Sequence, residues 1–212
     1  MDHEAYFKEI LPYSRKRLIA WGSISGYVQR FIPLDSIILE LGAGYCYFIN
    51  NIKAKEKHAL DICNIITKCA NKNVIIHTQS CADLISLPSK YFNVVFVSNL
   101  FEHLSRHEFK KTIYGISRIL KNSGLLLVIQ PNYKYCKRLY FDDPTHKTVF
   151  TDSSLCAALT DFNFVIIKKY PKFLPYSAST TFKFSKIMVD LYLRSPIKPF
   201  AKQMFIIARL NK

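Results

Sequence analysis

The stretch Glu40-Leu41-Gly42-Ala43-Gly44 pairs residue types with a spacing that can do chemistry. An apolar run beginning at Ile37 carries an acid and ends in two glycines one residue apart. Glycine has no Cβ, so the backbone at 42 and 44 can turn sharply and come close to a ligand. A helix starting just beyond presents free N–H groups toward that ligand. Strand, glycine turn and helix together read as a nucleotide-type site; the alternative is a glycine turn with no ligand. A dinucleotide fingerprint needs a third glycine where Tyr47 stands, which weakens that version. Asp61 lies 17 residues past Gly44 and ends the short apolar run 58–61. A carboxylate there can accept from both hydroxyls of a ribose, and it can also cap a helix over 64–70; the two roles are compatible.

Two later segments carry proton chemistry. Ser98-Asn99-Leu100-Phe101-Glu102-His103-Leu104 follows the run 91–99, which reads as a buried strand. In open α/β sheets ligands bind outside the carboxyl ends of strands, so this loop faces the site. His103 can orient an acceptor hydroxyl or take its proton, or it can cap the next helix through a backbone carbonyl. Phe141-Asp142-Asp143-Pro144-Thr145-His146 then brings Asp143 and His146 close in sequence as a candidate acid–base pair, against the plainer reading of a proline-turned loop. A metal site is the less favoured alternative and no metal ligand is assigned, because no third ligand stands at a telling spacing.

Alternating helical and strand patterns supply the positions. A helix is expected from Ser14 to Phe31, with Ile19, Val28 and Phe31 on an apolar stripe beside Trp21 and Tyr27, closed by Pro33. Strands are expected over 37–41, 58–61, 74–77, 91–99, 125–129, 164–169 and 204–210, the central ones apolar on both faces as in a parallel sheet. Helices are expected over 109–120, with Gly124 as terminator, and over 151–159, capped by Thr151 or Asp152. The region 171–199 mixes aromatic, apolar and basic residues, with a helix over 181–194. It reads as a substrate lid or as a contact with an acidic membrane surface.

The totals bound the class. A chain of 212 residues, half of them hydrophobic and 21% charged, suits one globular domain. No apolar run reaches the ~18 residues of a membrane span. Asp2, Glu4 and Glu9 do not fit the basic-then-apolar layout of a secretory leader. Six cysteines without a C-x-x-C pair argue against zinc and for reduced thiols, so a cytoplasmic protein is expected. The net charge is +15, and residues 168–212 carry ten Lys or Arg against one acid, Asp190. Such a surface favours an anionic membrane, nucleic acid or a phosphorylated substrate, or is merely solvated.

Glu40-x-Gly42-x-Gly44 resembles motif I of class I S-adenosylmethionine-dependent methyltransferases, with Cys46 where a third glycine is common. Asp83, five residues before Pro88, resembles the loop in which those enzymes hold the adenine amino group; Phe92-Asn93-Val94-Val95 stands where Phe-Asp-x-Val is usual, and Asn93 is not assigned to the ligand. Asn99-Leu100-Phe101-Glu102-His103-Leu104 is similar to a segment of the type 11 and type 12 methyltransferases, and Asp143-Pro144-Thr145-His146 to one seen in small-molecule and sugar-modifying members. The resemblance covers residues 36 to 130. It implies an α/β, Rossmann-like class I methyltransferase fold, with a seven-stranded mostly parallel sheet, an antiparallel final strand and helices on both faces. It implies a single domain over 1–212: a helical cover (1–35), a cofactor-binding core (36–170), a basic apolar insertion (171–203) and a final strand (204–212). It further implies S-adenosylmethionine as cofactor, held by Glu40, Gly42, Gly44, Asp61, Asp83 and Asn99, with His146, Asp143 and His103 as base candidates. The implied acceptor is a small molecule or a sugar, weakly a surface glycan. Nucleic acid is disfavoured, because the Asn/Asp-Pro-Pro-aromatic signature of base methylation is missing after the fourth strand, where Ser98-Asn99-Leu100-Phe101 stands. A non-catalytic domain binding a membrane or partner through its basic tail is the remaining alternative.

Overall fold

In the computed structural model, which describes residues 3–175 and 185–211, seven strands form one sheet. They are β1 (Ile37–Leu41), β2 (Glu56–Asp61), β3 (Val74–Thr78), β4 (Phe92–Ser98), β5 (Leu120–Pro131), β6 (Phe164–Pro175) and β7 (Ala201–Leu210). Their order is β3-β2-β1-β4-β5-β7-β6; β7 is antiparallel to both neighbours, and every other pairing is parallel. The chain runs outward from β1 through β2 to β3, then returns to β4 on the other side of β1. That reversal opens a crevice at the carboxyl ends of β1 and β4.

The strands are apolar on both faces, and period-two alternation divides their side chains between two cores. Leu39, Leu41, Val95, Val97, Leu126 and Val128 face one side, against α4 (Arg106–Ile119) and α6 (Asp152–Thr160). Ile38, Val94, Phe96, Leu127 and Ile129 face the other, against α2 (Arg15–Val28) and the described part of the 171–203 region. On that second face Phe48 and Phe96 stack with ring centroids 3.6 Å apart, and Trp21 meets both edge-on. Fully buried aromatic and aliphatic side chains of this kind each contribute roughly 1.5–3 kcal/mol of hydrophobic stabilisation.

Local chemistry sets the helix ends. Ser14 caps α2 by accepting from the Arg17 N–H. Ser105 and Glu108 form a reciprocal capping box at α4, and Thr151, not Asp152, caps α6. A short helix α1 (His3–Glu9) precedes α2, and the small helices α3 (Ile65–Cys69) and α5 (Tyr133–Cys136) follow β2 and β5.

Four expectations change. Gly124 does not terminate α4: the helix ends at Ile119, and Ser123 takes the left-handed conformation (φ 61°) within β5, where its register against β4 shifts. What 124 requires is space, since a Cβ there would sit 2.9 Å from the Lys121 carbonyl oxygen. Ile19 is 41% exposed, because α2 buries the face formed by Ser23, Ile24, Ser25 and Val28 instead. The start of the 171–203 region is not an insertion: β6 continues to Pro175, and Phe173 and Leu174 are buried in the second core. The final strand starts at Ala201 rather than Met204. Of the helix expected over 181–194, the described part is α7 (Lys186–Arg194), which buries Val189 and Leu193 beside α2; residues 181–184 lie outside the described residues.

Candidate active site

The glycine loop has the conformation its sequence requires. Gly42 and Gly44 both have positive φ, +70° and +47°, where side chains are strained. A Cβ would also lie 3.1 Å from the Leu100 side chain at Gly42 and 3.0 Å from the Phe7 ring at Gly44. The Gly44 N–H donates to Asp61 Oδ2 at 2.8 Å, and the Cys63 N–H donates to Oδ1 at 2.9 Å. The end of β2 thereby fixes the loop that follows β1. Glu40 is buried below the loop, where its Oε2 accepts from the Ile49 N–H at 3.0 Å. Its role in the loop is to order the backbone from beneath.

Cover comes from an unexpected quarter. α2 packs on the sheet face, whereas Phe7 of α1 lies over Gly44 and meets Tyr45 edge-on at 5.3 Å. The neighbouring Tyr6 meets His103 edge-on at 5.6 Å. One turn of helix thus spans the glycine loop and the second cluster. Tyr45 Oη donates to the Phe7 carbonyl, and the Ser14 N–H donates to Tyr47 Oη, tying this N-terminal segment to the loop it covers.

The second cluster gathers Glu102, His103, Asp143, Thr145 and His146. Lys147 and Thr148 donate their N–H groups to the Glu102 carbonyl, which brings the loop after β4 against the segment after β5. Thr145 Oγ donates to Asp143 Oδ1 at 2.5 Å, so towards His103 it acts as acceptor, from Nδ1 at 2.8 Å. The His146 Nδ1 donates to the Tyr140 carbonyl. In both rings Nε2 is therefore the nitrogen that carries the lone pair. His103 and His146 meet edge-on with centroids 4.8 Å apart. Burial, reinforced by the neighbouring His146, pushes His103 down to about 4 against the opposing pull of Asp143. Burial lowers His146 as well, so both rings are neutral at pH 7. Asp143 and His146 come together as expected, yet Nε2 and Oδ2 stand 3.8 Å apart, beyond a hydrogen bond.

The other expected residues are more dispersed. Asp83 is exposed in the loop after β3, and its Oδ1 accepts from the nearby Ile85 N–H. Asn99 directly follows β4 with positive φ, and its Oδ1 accepts from Gln203 on β7. Asn93 accepts from the Ile37 N–H and from Lys121, a structural tether between β1 and β4. Two residues were given no role from the sequence. Glu102 is 1% exposed, and its Oε2 has no hydrogen-bond partner among the described residues; burial pushes its carboxyl up to about 8. Gln130, at the carboxyl end of β5, is fully buried with neither amide atom bonded among the described residues. The signal for Glu102 was its place beside His103 in the Asn99–Leu104 segment, which did not tell that the fold buries it.

Residues 14–169 match a family model described as a methyltransferase domain. An uncharacterized protein of Methanocaldococcus jannaschii is 34% identical over 135 residues, 62% of this chain; the chain spans 56% of that relative's length. Among solved structures, an S-adenosylmethionine-dependent methyltransferase of Archaeoglobus fulgidus is similar with a TM-score of 0.67 at 20% identity, over 98% of this chain and 100% of that one. One from Clostridium acetobutylicum is similar with a TM-score of 0.64 at 15% identity, over 99% and 97%. At these identities the structural likeness speaks to the fold.

The Glu40 carboxyl gives a test of the loop's electrostatics. Burial, helped by Asp61, holds it well above the usual carboxylate range, against the pull of the Ile49 N–H. The folded chain then keeps a proton that the unfolded chain loses above its ordinary value of 4.5, so this group's contribution falls as pH rises through that window. Glu40→Gln stays neutral throughout and can still accept from Ile49. Its stability relative to wild type should therefore grow between about pH 5 and about pH 8, by at most ~1.4 kcal/mol per pH unit. Urea unfolding of both proteins at the two pH values reads this, and a difference independent of pH would contradict it.

Proposed function

We propose that this chain, which belongs to the methyltransferase-domain family, is an S-adenosylmethionine-dependent enzyme that methylates an oxygen or nitrogen of a small-molecule or sugar acceptor. The observation that carries the reading is the Gly42–Gly44 turn anchored to the buried Asp61 carboxylate at the carboxyl edge of the sheet. A Cβ-free backbone with both glycines at positive φ is a cradle that fits a ligand lying against the main chain.

When bound, S-adenosylmethionine supplies a methyl group made electrophilic by its sulfonium. Gly42 and Gly44 admit the methionyl part, while Glu40 orders the loop from below. Asp61 accepts from the ribose hydroxyls, Asp83 from the adenine amino group, and Asn99 lines the cofactor side at the end of β4. Methyl transfer of this kind needs mainly alignment of donor and acceptor and exclusion of water. α1 covers the loop and so supplies the exclusion. His146, His103 and Asp143 line the acceptor side, where a neutral imidazole with a bare Nε2 can take the proton the acceptor loses. A surface glycan is the acceptor class this reading favours, within a cytoplasmic protein.

Calorimetric titration tests the reading. S-adenosylmethionine should bind and NAD should not, and Asp61→Ala should weaken cofactor binding by about tenfold or more while the fold persists. No binding of S-adenosylmethionine would turn the reading toward a non-catalytic domain, and unchanged affinity in Asp61→Ala would remove Asp61 from the site.

A second reading concerns where the enzyme works. Ile187 (70% exposed) and Leu191 (64%) project from α7, and Ile197 and Phe200 follow on the same stretch, with Lys186, Arg194 and Lys198 among them. Apolar side chains edged by cations suit peripheral contact with an anionic membrane. Sedimentation with vesicles should show binding to those rich in phosphatidylserine, weak binding to neutral ones, and loss in Ile187→Glu/Leu191→Glu. Equal recovery with both vesicle types would exclude this contact.

A further inference from the structure

We infer that Glu102, His103 and His146 form a binding site for a divalent transition-metal ion, zinc by the chemistry of its ligands. A carboxylate oxygen of Glu102 and one ring nitrogen from each histidine lie within 4.8 Å of one another. Sequence spacing hid the set, because two ligands are adjacent after β4 and the third lies 43 residues on. The backbone bonds from Lys147 and Thr148 to the Glu102 carbonyl bring the third to the other two.

Three features separate this cluster from an ordinary group of polar residues. Both imidazoles are already oriented from behind: His103 Nδ1 donates to Thr145, which is itself held by Asp143, and His146 Nδ1 donates to the Tyr140 carbonyl. That outer arrangement leaves Nε2 as the donor atom, and it is the arrangement that fixes metal-bound histidines. The Glu102 carboxylate is almost completely buried, and its Oε2 has no hydrogen-bond partner among the described residues, a costly condition that a cation would relieve. The bare His146 Nε2 and Asp143 Oδ2 also face each other at 3.8 Å, two acceptors with no proton between them.

Two histidines and one carboxylate are a ligand set for zinc and for other first-row ions, with further positions left open. Separations of up to 4.8 Å must close by at most about 1.5 Å to reach the ~3.3 Å of a tetrahedral centre with bonds near 2.1 Å. An open position could hold water or an oxygen of the acceptor; with the ion bound both Nε2 lone pairs are engaged, which leaves Asp143 as the base. That last point rests on the methyl-transfer reading; the ion site itself does not.

The test is zinc titration of the full chain after removal of metals by a chelator. One zinc per chain is expected, with binding weakened by more than about tenfold in Glu102→Gln and in His146→Ala. Glu102→Gln keeps size and shape, so it remains informative if His146→Ala fails to fold. Cobalt(II) is the second probe, because six thiols offer a competing site. Nitrogen and oxygen ligation should give visible absorption without a thiolate charge-transfer band. No stoichiometric zinc binding, equal binding in wild type and Glu102→Gln, or a thiolate band would each overturn the assignment. S-adenosylmethionine is titrated separately into the metal-free protein, so failure of the metal site and failure of the cofactor reading are told apart.

Discussion

The hydrogen bond from the Gly44 N–H to the Asp61 carboxylate is the contact on which the site depends. It joins the loop after β1 to the end of β2, two strands that are neighbours in the sheet. The turn it fixes places two glycines in a conformation strained for other residues, with aliphatic and aromatic side chains packed where a Cβ would be. The same carboxylate also holds Cys63, so the entry into α3 is set by the same group. A buried carboxylate is tolerated because both oxygens receive backbone donors; without those bonds its burial would cost several kcal/mol.

A second constraint couples this loop to the titratable cluster. Consecutive residues of α1, Tyr6 and Phe7, contact His103 and the glycine loop respectively. The two halves of the site therefore share one cover. Its departure would expose both, and its return would exclude water from both. The cluster beneath is rich in groups whose burial opposes charge: two neutral imidazoles and a carboxyl that holds its proton in the absence of a cation. Such an assembly is expensive to fold and is characteristic of positions where a ligand compensates.

Much of the architecture was legible in the sequence, for physical reasons specific to each element. β1 and β4 announce themselves as short apolar runs because a strand buried on both faces has no polar side to show. Gly42 and Gly44 are legible because their backbone geometry permits almost nothing else. The capping residue of α6 was legible to within one position, Thr151 or Asp152, because an oxygen must meet the first free N–H groups. Long-range consequences were not. β6 runs on to Pro175 through lysines and a proline, since pairing with β7 outweighs the local pattern. Gly124 resembles a terminator, yet Ser123 takes the left-handed conformation and 124 is small for want of space. Glu102 looks like any loop acid until the fold buries it, and His146 becomes its neighbour only through backbone bonds between Glu102 and Lys147, 45 residues apart in the chain. α1 looked polar, and its function as cover lies in the pair Tyr6-Phe7.

The most direct test of the central claim, that the β1–β2 loops form the cofactor cradle beneath α1, is amide hydrogen–deuterium exchange with and without S-adenosylmethionine. Slower exchange across 41–46 and 61–63, with accompanying protection of 3–9, is the expected result. Exchange unchanged in those segments, or protection confined to residues 186–200, would contradict it and move the ligand to another part of the surface.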